Sequence, residues 1–126
     1  MPDYRIDLED KFGSLALIDV RAEAAAVGDE WVNQTLTTVN DSVVRLGIVE
    51  GEFHWHKHEL EDEFFLVLEG ELEIEVEGCE PFVLGPSQGV TIPRGVMHRP
   101  IAHTRTAVLM VEPATITPVG DSADEQ

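Results

Sequence analysis

The chain is short of several residue types, and each shortage excludes a class of protein or site. Cys79 is the only cysteine among 126 residues, so neither an intrachain disulfide nor a cysteine-based zinc site is available. No apolar segment approaches the roughly 18 residues that a membrane-spanning helix needs. Because the N-terminus also has no basic stretch followed by an apolar run, we expect a cytoplasmic protein.

Basic residues are also scarce. Eight lysines and arginines face 25 acidic residues, which gives a net charge of -17. Such a field repels phosphate backbones and anionic lipids, so we expect no nucleic-acid partner and no membrane partner. The acids are scattered along the chain, and we therefore interpret them as a solubility feature rather than a recognition surface.

Hydrophobic residues make up 43% of the chain, and this length fits one domain with one core. Leu72, Ile74 and Val76 alternate with glutamates, the period of two that is typical of a strand with one buried face. Many short strands separated by turns indicate a sandwich or barrel. The predicted strands span residues 34–39, 43–49, 53–58, 63–68, 72–76, 82–84, 90–93, 97–101 and 107–112.

The two ends of the chain give weaker patterns. Residues 8–14 suit one helical turn, and residues 15–20 suit a short strand. Residues 21–26 are alanine-rich and fit a short helix or an irregular crossing equally well. Residues 113–126 are acidic and rich in turn formers, so we expect this tail to leave the body of the domain.

Three histidines and one glutamate have the spacing of a metal site. His56 and His58 are two apart on a predicted strand, so their side chains leave the same face. Glu63 begins the next strand, about 5 Å away, and His98 follows the turn at residues 93–95. Three imidazoles and a carboxylate suit one divalent transition-metal ion: manganese, iron, nickel, cobalt, copper or zinc.

These segments resemble the two motifs of the cupin superfamily. The first reads Gly51-x4-His56-x-His58-x4-Glu63-x6-Gly70, and the second reads Pro93-Arg94-Gly95-Val96-Met97-His98. The first gap is four residues instead of five. Ser87 and Ala102 stand where the second motif usually has glycine and asparagine. These departures affect turns and ends, not ligands.

The resemblance implies an all-β fold, the double-stranded β-helix or jelly-roll-like cupin β-barrel, with the metal in its mouth and at most one short N-terminal helix. The barrel would span residues 43–112, with residues 1–42 packed on it and residues 113–126 as the tail. In detail the chain is similar to small stand-alone cupins that are often labelled mannose-6-phosphate isomerase-like. Cupins of this size commonly dimerise, so we expect a homodimer formed through residues 1–42.

A second register has the same internal spacing, with His54, His56 and Glu61 as ligands. The motif's glycine would then fall at Leu68, whereas Gly70 fits Glu63, so we take His56, His58, Glu63 and His98 as ligands. His54 either lines the pocket or is a hydrogen-bonded histidine without chemistry, and the two roles are equally well supported.

Residues of matching strand parity could line a pocket beside the metal, which would suit a small, partly hydrophobic ligand; simple core filling explains them as well. The pocket candidates are His54, Phe53, Phe65, Val67, Ile92, Arg94, Val96 and Met110. Arg94 and Arg99 could hold an anionic substrate, although surface salt bridges are the commoner role of such arginines.

We expect a metal-dependent enzyme that acts on a small organic molecule in a dioxygenase-, isomerase- or lyase-type reaction. Glu63 and His54 are the candidate catalytic residues. The alternatives are a non-catalytic cupin that binds a small ligand through its metal, and a structural protein that the metal ties closed. A sugar phosphate is a weaker candidate because few basic residues lie near the site in sequence.

Overall fold

The structure is a computed structural model that describes residues 4–28 and 31–121. In this part of the chain the fold is all-β with one short helix near the N-terminus, as predicted. The elements are β1 (Tyr4–Asp7), α1 (Val20–Ala26), β2 (Trp31–Val39), β3 (Ser42–Glu52), β4 (Glu63–Glu69), β5 (Leu72–Val76), β6 (Phe82–Leu84), β7 (Gly89–Ile92) and β8 (His98–Pro113). No helix in the described ranges is long and apolar enough to cross a membrane.

The strands form one sheet in the order β1-β2-β3-β8-β4-β7, and β5 joins it by pairing with β8 and β6. The sheet is not closed within the described residues. β8 pairs with β3, β4 and β5. The prediction of two strands separated by a loop was wrong here, because Ala102 and Thr106 stay paired with Gly51 and Val49 of β3 and keep β8 continuous.

The sheet buries both of its faces. On the outer face Leu46 and Ile48 of β3 pack with Ala24 of α1. On the inner face Phe65 and Met110 join a second apolar cluster. This inner face also carries the candidate site, because alternation along β3, β4 and β8 places every second side chain there.

Residues 21–26 belong to helix α1, so the short helix, and not the irregular crossing, was the right one of the two expectations. Asp19 caps the helix by accepting a hydrogen bond from the backbone N–H of Ala22 at 3.1 Å. At the other end Arg105 of β8 donates from its Nη2 to the carbonyl oxygens of Ala24 and Val27, at 2.8 and 3.1 Å. The helix is therefore held at both ends against the outer face.

The segment before α1 is irregular, so the helical turn over residues 8–14 and the strand over residues 15–20 were both wrong. Lys11 and Phe12 donate their backbone N–H groups to the carbonyl oxygens of Thr35 and Leu36 in β2, which removes them from any helical turn. Leu15 has a positive φ of 62° and a fully exposed side chain, which are incompatible with a buried strand.

Residues 53–58 do not form the predicted strand. Phe53 donates its N–H to the carbonyl of Pro100 at 3.0 Å, but proline has no N–H to return. The ladder therefore breaks, and pairing resumes only as an isolated bridge between His56 and His98.

The largest correction concerns the acidic tail, because residues 114–121 fold back onto the molecule. We call these residues the C-terminal strap. Ile116 is buried, and the backbone N–H of Asp121 donates to the carbonyl of Lys57 at 3.0 Å. His54 Nε2 donates to the carbonyl of Val119 at 2.6 Å. The expectation that the tail leaves the body was wrong for this part, and residues 122–126 lie outside the described ranges.

Candidate metal centre

The backbone fixes the positions of the four predicted ligands. Glu63 is the first residue of β4, and His98 is the first residue of β8. His56 and His98 exchange two backbone hydrogen bonds of 2.9 Å, which holds their imidazole centroids 4.4 Å apart. His58 follows two residues later, with its ring centroid 5.2 Å from that of His56.

The side chains of all four residues converge. One ligand atom from each of His56, His58, Glu63 and His98 lies within 4.8 Å of the others. Each of the four residues is at most 5% exposed. The competing register is not the one that assembles, since His54 is absent from this group and Glu61 belongs to a neighbouring one.

Two of the histidines are held in the tautomer that a metal requires. The Nδ1 atom of His56 donates to the carbonyl oxygen of His54 at 3.0 Å. The Nδ1 atom of His98 donates to the carbonyl oxygen of Val96 at 2.9 Å. Because the proton then sits on Nδ1, the lone pair of Nε2 is free in both rings and directed at the common centre.

The centre has polar atoms that the protein leaves unsatisfied. His58 Nε2, His98 Nε2 and Glu63 Oε1 are buried without a hydrogen-bond partner. Glu63 Oε1 lies 3.3 Å from His58 Nε2 and 3.6 Å from His98 Nε2. An unsatisfied buried polar group costs about 1–3 kcal/mol, and a bound cation would satisfy all three at once. This donor set therefore fits a divalent transition-metal ion.

The protonation states also suit metal binding. Burial, and then the neighbouring His98, lower the pKa of His56 to about 4, so its imidazole is neutral near pH 7. For Glu63, burial alone would raise the pKa, but the interactions with His58, His98 and Glu112 lower it below the usual range. The centre thus presents a neutral imidazole beside an ionised carboxylate.

A second carboxylate behind Glu63 escaped the sequence analysis. β4 and β8 are antiparallel, and Phe64 is the register partner of Val111. The next pair of positions therefore places Glu112 of β8 opposite Glu63 of β4. Burial and the charge of Glu63 raise the pKa of Glu112, although Arg45 Nη1 donates to its Oε2 at 2.6 Å. Arg45 and Glu112 are each 2% exposed. Arg45 is the only charged residue of the predicted strand 43–49, and Glu112 is the only one of the predicted strand 107–112. These two charges in apolar segments were the signal that could have revealed the pair.

Among the residues that the structure describes, His58 is the one candidate ligand whose second imidazole nitrogen has no hydrogen-bond partner. Its Nδ1 is buried and unsatisfied, and so is Oε1 of Glu61. His58, Glu61 and Asp121 present ligand-type atoms within 4.8 Å of one another. Glu61 is held by the hydroxyl of Thr115, which donates at 2.9 Å. When Nε2 of His58 binds a cation, Nδ1 must carry the proton, and these carboxylates are placed to accept it.

Comparison with known proteins identifies the family. The sequence model described as "Cupin domain" matches residues 42–112, more than half of the chain. The chain belongs to the cupin family. It is 42% identical over 91 residues to the uncharacterized protein YdbB of Bacillus subtilis, which covers 72% of this cupin and 80% of YdbB.

Solved structures of other proteins show the same fold. A cupin-2 domain protein of Shewanella frigidimarina is 32% identical, with a TM-score of 0.73, over 77% of this cupin and 94% of that chain. A Ralstonia eutropha structure named as a "putative mannose-6-phosphate isomerase" is 22% identical, with a TM-score of 0.66, over 78% and 97% of the two chains. At that identity, the second likeness shows the fold alone.

A pocket opens beside the candidate metal centre of this cupin, with about 490 Å³ of space free of protein atoms when the open solvent at its mouth is included. His56 and Glu63 line it, so the pocket leads to the centre. The other lining residues are Tyr4, Trp31, Asn33, Gly47, Val49, Phe53, Phe65, Leu72, Pro100, Val108, Met110 and Pro118.

Three of the predicted pocket residues, Phe53, Phe65 and Met110, are in this lining, and five are not. Val67 and Ile92 are buried in the inner core, and Val96 packs against it. Arg94 is exposed, with its backbone N–H bonded to Asp62. His54 stacks on Phe53 at 4.3 Å and binds the strap, outside the pocket.

Arg99 also has a structural role rather than a substrate-binding one. Its Nε donates to Glu75 at 2.8 Å, and its Nη1 lies 3.3 Å from Glu52. The guanidinium group covers the ring of Trp55 at 5.4 Å. The surface salt bridge was therefore the right one of the two readings for this arginine.

Tyr4, Trp31 and Asn33 are among the pocket residues that sequence reasoning missed. Tyr4 and Trp31 are register partners in the parallel pairing of β1 with β2. Both lie outside the segment that matches the family. The sequence alone carries no local signal for this pairing, because parallel partners are distant in the chain.

Proposed function

We propose that this cupin binds one divalent transition-metal ion through His56, His58, Glu63 and His98 and is an enzyme acting on a small organic molecule. One observation carries the proposal: three buried ligand atoms without protein partners converge at the end of a pocket. A site built only for stability would have no need of a pocket that reaches two of its ligands.

A bound ion would supply Lewis-acid or redox chemistry, depending on its identity. The chain's own residues shape what can reach it. His56 and Glu63 face the pocket, whereas His58 and His98 are enclosed behind it. Glu63 is the carboxylate available as a base, since His54 lies outside the pocket and is bonded to the strap. The candidate reactions are oxygenation, isomerisation and a lyase step.

The lining of the pocket does not favour a sugar-phosphate isomerase, the activity in the name of the Ralstonia protein, as the function of this cupin. A phosphate group needs cationic donors or a backbone nest. None of the residues that line the pocket is lysine or arginine. We therefore propose a substrate without a phosphate group.

The test is the metal content per chain, measured by mass spectrometry on the native protein, on His98→Ala and on His103→Ala as the control. We expect about one equivalent in the native protein and in His103→Ala, whose side chain is exposed, and none in His98→Ala. Iron, manganese, nickel or copper would direct the next assays to O2 consumption, and zinc to isomerase or lyase screens. Absence of metal under every loading condition would refute the proposal.

A non-catalytic, ligand-binding cupin is the second candidate. It is favoured by the small number of polar groups in the lining, which beside His56 and Glu63 are Tyr4 and Asn33. Turnover separates the two candidates: a ligand that binds to the metal-loaded protein and is recovered unchanged would support binding alone.

We also propose a homodimer that forms through the N-terminal segment. β1 is at the edge of the sheet, and Leu15 and Leu17 of the same N-terminal segment are exposed, which leaves backbone and apolar groups for a second copy. A monomer by light scattering at micromolar concentration would refute this. The cytoplasmic location stays a prediction.

A further inference from the structure

One wall of the pocket is built from three packed aromatic rings. Trp31 and Phe53 are stacked, with centroids 5.7 Å apart and an angle of 24° between the rings. Tyr4 meets both rings edge-on, at 5.8 and 5.7 Å. Two of these three residues come from the N-terminal segment, outside the family match, so the family motifs do not supply this wall.

The aromatic wall carries one polar pair. Asn33 Nδ2 donates to the hydroxyl oxygen of Tyr4 at 3.3 Å, and Asn33 is 2% exposed. Burial raises the pKa of Tyr4 to about 12, so the phenol is neutral and keeps its proton.

This pair has hydrogen-bonding capacity left over. Asn33 Oδ1 is buried with no partner, and the O–H of Tyr4 is not used by the bond from Asn33. If the amide is turned over, the donor and acceptor exchange places, but one of each still remains. The pair therefore offers a donor and an acceptor to whatever occupies the pocket.

The charge of the wall selects against anions. None of the residues that line the pocket is a cation, and Glu63 is near enough to raise the pKa of Tyr4. A carboxylate or phosphate placed at this wall would be desolvated without a counter-charge.

We infer that the pocket takes a small, neutral, planar molecule with an aromatic or unsaturated body and a polar group that both donates and accepts a hydrogen bond, such as a primary amide or hydroxyl, at the Tyr4–Asn33 pair. The ring lies against the part of this aromatic wall that lines the pocket, where apolar surface is matched by apolar surface. We expect the end of this ligand opposite its polar group to point toward the metal centre, and only this orientation rests on the proposed function.

The test compares benzamide with benzoate, which share size and shape and differ in charge, by calorimetry on the metal-free full-length protein. We expect benzamide to bind and benzoate to bind at least about tenfold more weakly. Tyr4→Phe keeps the ring and removes the hydroxyl, so it should weaken benzamide binding about three- to tenfold. Trp55→Phe changes an aromatic side chain outside the pocket and should leave benzamide binding unchanged.

A second variant is needed because a substitution of Tyr4 could weaken benzamide binding by disturbing β1. Gly47 lines the pocket, and a Cβ there would lie 3.0 Å from the terminal methyl of Met110 and 3.8 Å from the Met110 sulfur and the carbonyl oxygen of Val108. Gly47→Val should therefore fill the pocket and abolish benzamide binding while the far-ultraviolet circular dichroism stays native.

Equal binding of benzoate and benzamide, or benzamide binding that survives both Tyr4→Phe and Gly47→Val, would overturn the inference. Failure to bind any metal with benzamide binding retained would overturn the proposed function alone. Metal binding without benzamide binding would overturn this inference alone.

Discussion

Replacing Gly120 by alanine should detach the C-terminal strap from the metal centre while the sheet stays folded. Gly120 has a φ of +100°, and an added Cβ would lie 2.5 Å from Cβ of His56. The Cβ of His56 cannot move aside, because His56 is fixed by its backbone pairing with His98. The strap is the only partner that can give way.

The magnitude follows from the contacts that hold the strap to residues 54–59. Three hydrogen bonds would be lost: His54 Nε2 to the carbonyl of Val119, the N–H of Asp121 to the carbonyl of Lys57, and the N–H of Glu59 to Asp121 Oδ2. If residues 119–121 are released while Thr115 and Ile116 keep their contacts, the loss of these bonds at roughly 1 kcal/mol each should lower the free energy of unfolding by about 3 kcal/mol.

Gly78→Ala is the matched control. Gly78 has a φ of +83°, but an added Cβ meets nothing within 4 Å. It should cost only the left-handed backbone penalty of about 1–2 kcal/mol. Urea unfolding gives both free energies. Amide hydrogen exchange gives the deciding result, because the amides of Glu59 and Asp121 should lose protection in Gly120→Ala and keep it in Gly78→Ala. Unchanged protection in Gly120→Ala would refute the contact between the strap and His56.

Three further predictions follow from the centre. Glu61→Gln should weaken metal binding about 10- to 100-fold in a chelator competition, because His58 Nδ1 loses its carboxylate acceptor, whereas Glu59→Gln should not; equal effects would contradict the assigned role. Arg45→Met should lower the unfolding free energy in urea by about 1–3 kcal/mol, because Glu112 Oε2 loses its buried hydrogen-bond donor, and Arg45→Met with Glu112→Leu should recover most of that loss. In the metal-free protein, the unfolded chain protonates His56 below pH 6.5 but the folded chain only below about 4, so stability should fall by about 3 kcal/mol as the pH drops through that window; a His56→Gln variant with the same pH dependence would contradict this.

The sequence predicted the group of four candidate ligands that the structure brings together, because its information is local. Two histidines two residues apart share a face whether or not their strand is continuous, and the break at Phe53 left His56 in place through its bridge to His98. The alternation from Leu72 to Val76 likewise gave β5 correctly, since period two is the direct result of pleating.

What the sequence did not predict depends on partners far away in the chain. Tyr4 reaches the pocket only because β1 pairs with β2, and the strap is held by groups between His54 and Glu61 that are more than fifty residues earlier. Composition alone made residues 113–126 look like a solvated tail. The apolar contacts of Ile116 and the tight fit of Gly120 overrode that composition.

The continuity of β8 has a consequence for how the protein folds. This strand carries His98 at one end and Glu112 at the other, and it pairs with β3, β4 and β5. Most of the contacts it makes join distant parts of the chain, which is the property that slows folding most. The ligands from residues 56–63 cannot meet His98 until β8 has docked. Metal binding should therefore appear only late in refolding, and the time course of metal uptake would report when the sheet is complete.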